Sequence, residues 1–196
     1  MLFRSYAKAG DVVYSYQLPV EQSVVKTETI DIIGEALSME ETYDLIHISG
    51  GQTDIRFNKH SCSFDQVILR GEPAFTGGID NFYRAPTGID EGTGEPYRNY
   101  AHDWKSEGLD SLQMTVRSVS TVLAGSQVTI FTELSYQRDN LIVATQYRIG
   151  SNGVEITKTV ANNCKSETIP RIGMAFVLSG DKQWLKWYGK GPWENR

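Results

Sequence analysis

At 196 residues, with 40% hydrophobic and 22% charged side chains, the chain suits one globular domain, or one domain carrying a remnant of another, rather than a disordered or fibrous protein. A formal net charge of -5 and a pI near 5.2 argue against a nucleic-acid footprint, which needs clustered Lys and Arg. Cys62 and Cys164 can form at most one bridge and lack metal-ligand spacing. No apolar run approaches the roughly 20 residues that span a bilayer, and Met1-Leu2-Phe3-Arg4-Ser5 does not open a signal peptide. Composition therefore predicts neither a nucleic acid nor a membrane as partner.

Met1 is followed at once by Phe3, Tyr6, Val12, Val13 and Tyr16, so the chain is expected to begin inside structure. Ala9-Gly10-Asp11 predicts a turn and 12–20 a strand, while 22–33 reads as a strand or an ordered linker. From Thr42 the alternation strengthens. A strand is expected at 44–49, a hairpin turn at Gly50-Gly51-Gln52, a strand at 54–57 with Ile55 and Phe57 on one face, and another at 64–70.

The stretch 77–95 breaks this pattern. It holds five glycines, an Arg-Ala-Pro corner and the acids Asp80, Asp90, Glu91 and Glu95, with neither a two-residue nor a 3.6-residue apolar period. Pro86 fixes its own φ and pushes Ala85 towards extended geometry, so a shaped loop is predicted. The acids Asp90, Glu91 and Glu95 are expected to be solvated, as most loop charges are.

One short helix is predicted at 97–107, with Tyr97, Tyr100 or Ala101, and Trp104 on one face. Gly108 is placed to end it in the left-handed cap, with Leu109 making the accompanying apolar contact. Strands follow at 127–136, 141–149 and 154–160, separated by short turns, so they should be antiparallel neighbours, and a further strand is read at 171–178. In 127–136 the residues Val128, Ile130, Leu134 and Tyr136 share a face, with Phe131 as the exception. In 171–178 Ile172, Met174, Phe176 and Leu178 do, and Trp184 to Tyr188 reads as a last strand. One-face burial in strand after strand demands a covering layer, so the fold class is mainly β, an antiparallel β-sandwich.

Three motifs in order carry a family resemblance: Asn81-Phe82-Tyr83-Arg84-Ala85-Pro86-Thr87, then His102-Asp103-Trp104-Lys105 with Gly108, then Tyr188-Gly189-Lys190-Gly191-Pro192-Trp193-Glu194-Asn195. The sequence resembles the C-terminal domain of the β-galactosidases of glycoside hydrolase family 2. The resemblance implies a galactose mutarotase-like supersandwich, present here as its N-terminal half over 37–196. Residues 1–36 would be a remnant of the preceding immunoglobulin-like domain and its linker. Two departures stand out: Cys62 replaces a usual turn glycine, and Gly88 and Ile89 replace the usual Asp and Asn, leaving Asp90.

The resemblance also implies a division of labour. Retaining glycosidases need two carboxyl groups about 5 to 5.5 Å apart, and in the family both lie in an upstream barrel domain. No catalytic residue is therefore expected here, and no cofactor; Mg or Na would belong to the parent's barrel. Gly92, Thr93, Gly94 and Glu95 are expected to form part of a lid over the galactoside site. Asn81, Phe82, Tyr83, Arg84, Pro86, Asp90, Trp104, Gly191, Pro192, Glu194 and Asn195 are expected to be structural, with Arg84 and Glu194 as a buried ion pair. Expected partners are the parent's other domains, the galactoside at the parent's site, and further copies of the chain through its uncovered sheet. The parent's compartment, cytoplasm or periplasm, is left open. Two other functions fit the fold. An aldose 1-epimerase (mutarotase) would draw on His47, His60 or His102, and a carbohydrate-binding module would expose Trp104, Trp184, Trp187 or Trp193.

Overall fold

The computed structural model describes residues 34–92, 98–166 and 168–180. The strands expected at 12–20, at 22–33 and from Trp184 lie outside them. Among the described residues ten strands and one helix form two antiparallel sheets. The first sheet runs β1 (Ser38–Glu41), β2 (Leu45–Gly50), β3 (Thr53–Asn58), β4 (Ser63–Leu69), β5 (Glu72–Asn81) and β10 (Gly173–Leu178), in that spatial order. The second runs β6 (Met114–Ala124), β7 (Gln127–Tyr136), β8 (Leu141–Gly150) and β9 (Gly153–Asn162). Helix α1 (Tyr100–Ser106) lies between β5 and β6 in the chain.

Alternation explains which side chains meet. In the first sheet Ile46, Ile48, Ile55, Phe57 and Phe64 point inward. From the second come Val128, Ile130, Leu141, Val143, Tyr147 and Ile149, and together they form one buried cluster. Its centre is aromatic: the rings of Phe57, Phe64 and Tyr147 lie 5.1 to 5.4 Å apart in edge-to-face pairs. Such pairs add about 0.5–1.5 kcal/mol each beyond the area they bury. Phe131, the exception in its strand, faces solvent.

Three expectations need correction. Residues 77–81 are strand rather than loop: Gly77 and Gly78 sit at φ 91° and 90° and form a β-bulge, where Phe176 pairs with Gly77 and Ala175 with Ile79. The extra residue hides the period and shifts the parity, so that Ile79 faces out and Asp80 faces in. Strand β6 escaped notice because it lies at the edge of its sheet among the described residues and has a register shift between Val116 and Ser118. Finally, β10 does not bury one face: among the described residues it pairs with β5 alone, and Phe176 and Leu178 are exposed.

The Cys62 departure keeps glycine's geometry. Cys62 adopts φ 47° with its side chain buried, a left-handed conformation that costs a non-glycine residue about 1–2 kcal/mol. Burial raises its thiol to about 11.

Candidate functional site

The segment after β5 leaves the sheet through Phe82, which is fully buried, and has no regular secondary structure as far as Thr87. A turn follows, in which the Asp90 and Glu91 N–H groups both donate to the Thr87 carbonyl, at 2.9 and 3.1 Å. Asp90 is buried and fully engaged. It accepts from Arg84 Nη1 at 2.7 Å and Nη2 at 3.0 Å, from the Thr87 N–H at 2.7 Å and from Thr87 Oγ1 at 2.8 Å. The Arg84 hydrogen bond, then that of the Thr87 N–H, hold the Asp90 carboxyl well below the usual carboxylate range. Asp90 was expected to be solvated and Arg84 to pair with Glu194. Asp90 is buried as a partner of Arg84, while the expected Arg84–Glu194 pair lies outside the described residues with Glu194. A planar guanidinium matches a carboxylate in two parallel bonds, and the turn closed on the Thr87 carbonyl brings the two groups into that register.

Arg84 also donates from Nε to the Pro170 carbonyl at 3.2 Å, and its guanidinium lies over the Trp104 ring at 5.3 Å. Trp104 is buried, and its Nε1 donates to Thr168 at 3.2 Å. The Tyr100 ring stacks beside it at 6.3 Å, with Arg98 over Tyr100 at 5.7 Å and Arg98 held in turn by Asp103 at 2.7 Å. Helix α1 starts where Asn99 accepts the His102 N–H, three residues later than expected. It ends as predicted: Gly108 is left-handed at φ 72°, and Leu109 is buried. The Ala101 N–H donates to the Asp90 carbonyl at 3.0 Å, so loop and helix are tied by backbone as well as side chains. Around them opens a concavity of about 790 Å³, lined by Arg84, Asp90, Tyr100, Trp104, Thr168 and Arg171, among others.

Several expected residues are thus brought together: Arg84, Asp90 and Trp104 form the clamp, Phe82 roots it in the core, and Asn81 accepts the Tyr83 N–H at 3.2 Å. Pro86 shapes the corner and makes no contact of its own to the clamp's hydrogen bonds. Gly92 follows the clamp, while Thr93, Gly94, Glu95, Gly191, Pro192, Glu194 and Asn195 lie outside the described residues, as do Trp184, Trp187 and Trp193. Sequence reasoning missed the role of Thr87, although a threonine three residues ahead of an acid is a turn-capping signal. It had no means of finding Thr168 or Pro170, which are remote in the chain.

The alternative sites fare differently. Trp104 is no exposed platform, with a cation over its ring and a tyrosine beside it. His47 sits on the outer face of the first sheet, opposite Arg56 and 3.5 Å from Asp54. His60 is an exposed turn residue 2.5 Å from Asp44, and His102 is in α1. None shares the inner face of the sandwich with a carboxylate.

Fold and site together define a β-sandwich domain whose longest described connection is clamped onto a short helix by an arginine–aspartate pair. The sequence profile of the beta-galactosidase small chain matches residues 49–196, and the chain belongs to that family. It is 26% identical over 205 aligned residues to the beta-galactosidase of Psychromonas ingrahamii, covering 98% of this chain and 20% of that protein. It is 26% identical to that of Vibrio cholerae, over 78% of this chain and 16% of the relative, and 24% identical to that of Staphylococcus xylosus, over 94% and 18%. The chain therefore spans a fifth or less of the length of these relatives.

Proposed function

We propose that the parent polypeptide hydrolyses terminal β-galactosides with retention, and that this chain contributes scaffold and part of an active-site lid but neither catalytic carboxylate. The observation that carries the reading is how the two most enclosed described aspartates are used. Asp90 is spent on Arg84 and Thr87, and Asp80 on Lys158 and Tyr136. A glycosidase acid must instead be kept protonated at working pH, and its nucleophile must face the sugar.

The lid, Gly92 to Glu95, would swing between two fixed posts. Asp90 on one side is tied to Arg84, and Arg98 on the other to Asp103. Glycines at 92 and 94 suit such motion. The remaining domains of the parent would supply the catalytic pair and any Mg or Na site. Among the described residues no three His, Cys, Asp or Glu side chains converge as metal ligands. The division at 36/37 and the mutarotase-like completion of the sandwich belong to the same reading. So does self-association of the separate chain, through Ile79, Ile172, Val177 and Leu178 near the β5–β10 margin, all exposed apolar side chains.

The test is to express the whole parent reading frame beside this chain and assay both on a chromogenic galactoside. Activity in the whole and none in the separate chain is the expected result. Hydrolysis by the separate chain overturns the assignment of the carboxylates, and an inactive parent overturns the activity itself.

A further inference from the structure

Away from the clamp, the interior holds a second charged cluster. Asp80 on β5 and Lys158 on β9 reach across the gap between the two sheets and form an ion pair, with side chains only 2% and 13% exposed respectively. Tyr136 on β7 donates its phenol proton to the other Asp80 oxygen, Oδ2, at 2.8 Å. Burial, with the Asp80 charge adding to it, pushes the Tyr136 phenol up, so it stays a neutral donor. Lys158 stands opposite Thr145, and Thr145 opposite Thr132, in one cross-strand row. Both threonines are buried, with the Tyr147 phenol as a side-chain neighbour. The Gly77-Gly78 bulge turns Asp80 inward and Ile79 outward, against the hydrophobic preference of both.

We propose that Asp80 and Lys158 are joined by an isopeptide bond that closes the sandwich between β5 and β9. The amine of Lys158 attacks Cγ of Asp80, the C–O bond to Oδ1 breaks, and Oδ1 leaves as water. The ammonium passes one proton to the carboxylate before attack and a second as Oδ1 departs, so it supplies both protons of that water and the carboxylate its oxygen; the product is a neutral amide, and no co-reactant is needed. Tyr136 polarises the carbonyl through Oδ2 and remains its donor in the product.

Two physical terms favour the step. A buried ion pair carries a desolvation penalty that a hydrogen-bonded amide escapes. Groups held together in this way react with effective molarities of about 10⁵–10⁸ M when well aligned.

The experiment is intact-mass spectrometry on the soluble 196-residue chain and on the full parent polypeptide, each followed by tryptic mapping. The expected result is a mass about 18 Da below that of the sequence, with a branched peptide joining residues 71–84 to 149–165 and no cleavage after Lys158. K158R and D80A should each restore the sequence mass. Linear peptides 71–84 and 149–158 at full mass in both preparations overturn the proposal. A loss of the same mass on a linear peptide 71–84, the signature of a succinimide at Asp80, overturns it too. The outcome is independent of galactosidase activity.

Discussion

Truncating Asp90 to alanine tests whether the clamp holds the loop. The change removes four hydrogen bonds at 2.7 to 3.0 Å, two from Arg84 and two from Thr87, while the Asp90 carbonyl keeps its bond to Ala101. Breaking a fully buried ion pair costs about 3–5 kcal/mol. The Arg84 side chain is 31% exposed, however, so water recovers part of its solvation, and exposed pairs are worth only about 0–1 kcal/mol. Losing the acceptor for the Thr87 N–H adds about 1 kcal/mol, as at a lost cap. The balance is about 2–3 kcal/mol, a large share of the roughly 5–15 kcal/mol that keeps a domain folded. In urea, with a slope near 2 kcal/mol/M, D90A should lower the midpoint by about 1 to 1.5 M. The pH dependence has a definite sign. Because the folded-state pKa of Asp90 is depressed below its ordinary 3.8, the clamp's contribution is complete above about pH 5 and is lost as pH falls through the folded value. D90A should therefore destabilise most at neutral pH, and its difference from wild type should shrink in acid. A midpoint within 0.2 M of wild type at pH 7 would refute the reasoning and reduce the pair to a surface contact.

The remaining predictions concern other parts of the fold. Gly108→Ala meets both a positive φ and Gln137 Nε2, 2.5 Å from the added Cβ. It should cost about 1–2 kcal/mol from the backbone alone, read by thermal unfolding, and pairing it with Q137A should recover only the steric part. In thiol titration of the native chain at pH 8, Cys164, half-buried, should react well ahead of Cys62, whose thiol is raised to about 11 by burial. Equal rates would contradict the packing of the β3–β4 turn. The double variant I79K/V177K, at two exposed apolar positions of the β5–β10 margin, should shift the separate chain towards monomer in light scattering without loss of strand content. An unchanged oligomer would place self-association elsewhere.

Much of this protein is written locally. Residues 127–136 and 141–149 alternate with a period of two because one face of each strand meets the core, so their bounds and buried faces were legible before any coordinates. The end of α1 was legible for a similar reason, since a glycine in left-handed geometry followed by a buried leucine is a short-range signal. The resemblance motifs named Arg84, Asp90 and Trp104 as structural residues but did not pair them with one another.

Tertiary structure alone decided the partners. Asp90 looks like any solvated loop acid until the turn after Thr87 folds it back onto Arg84. Asp80 and Lys158 lie 78 residues apart and meet only because two sheets close face to face and a glycine bulge reverses the parity of β5. Propensity and periodicity describe a strand against its immediate neighbours. They carry no term for which charge waits on the opposite sheet, and that term fixes the Asp80–Lys158 pair.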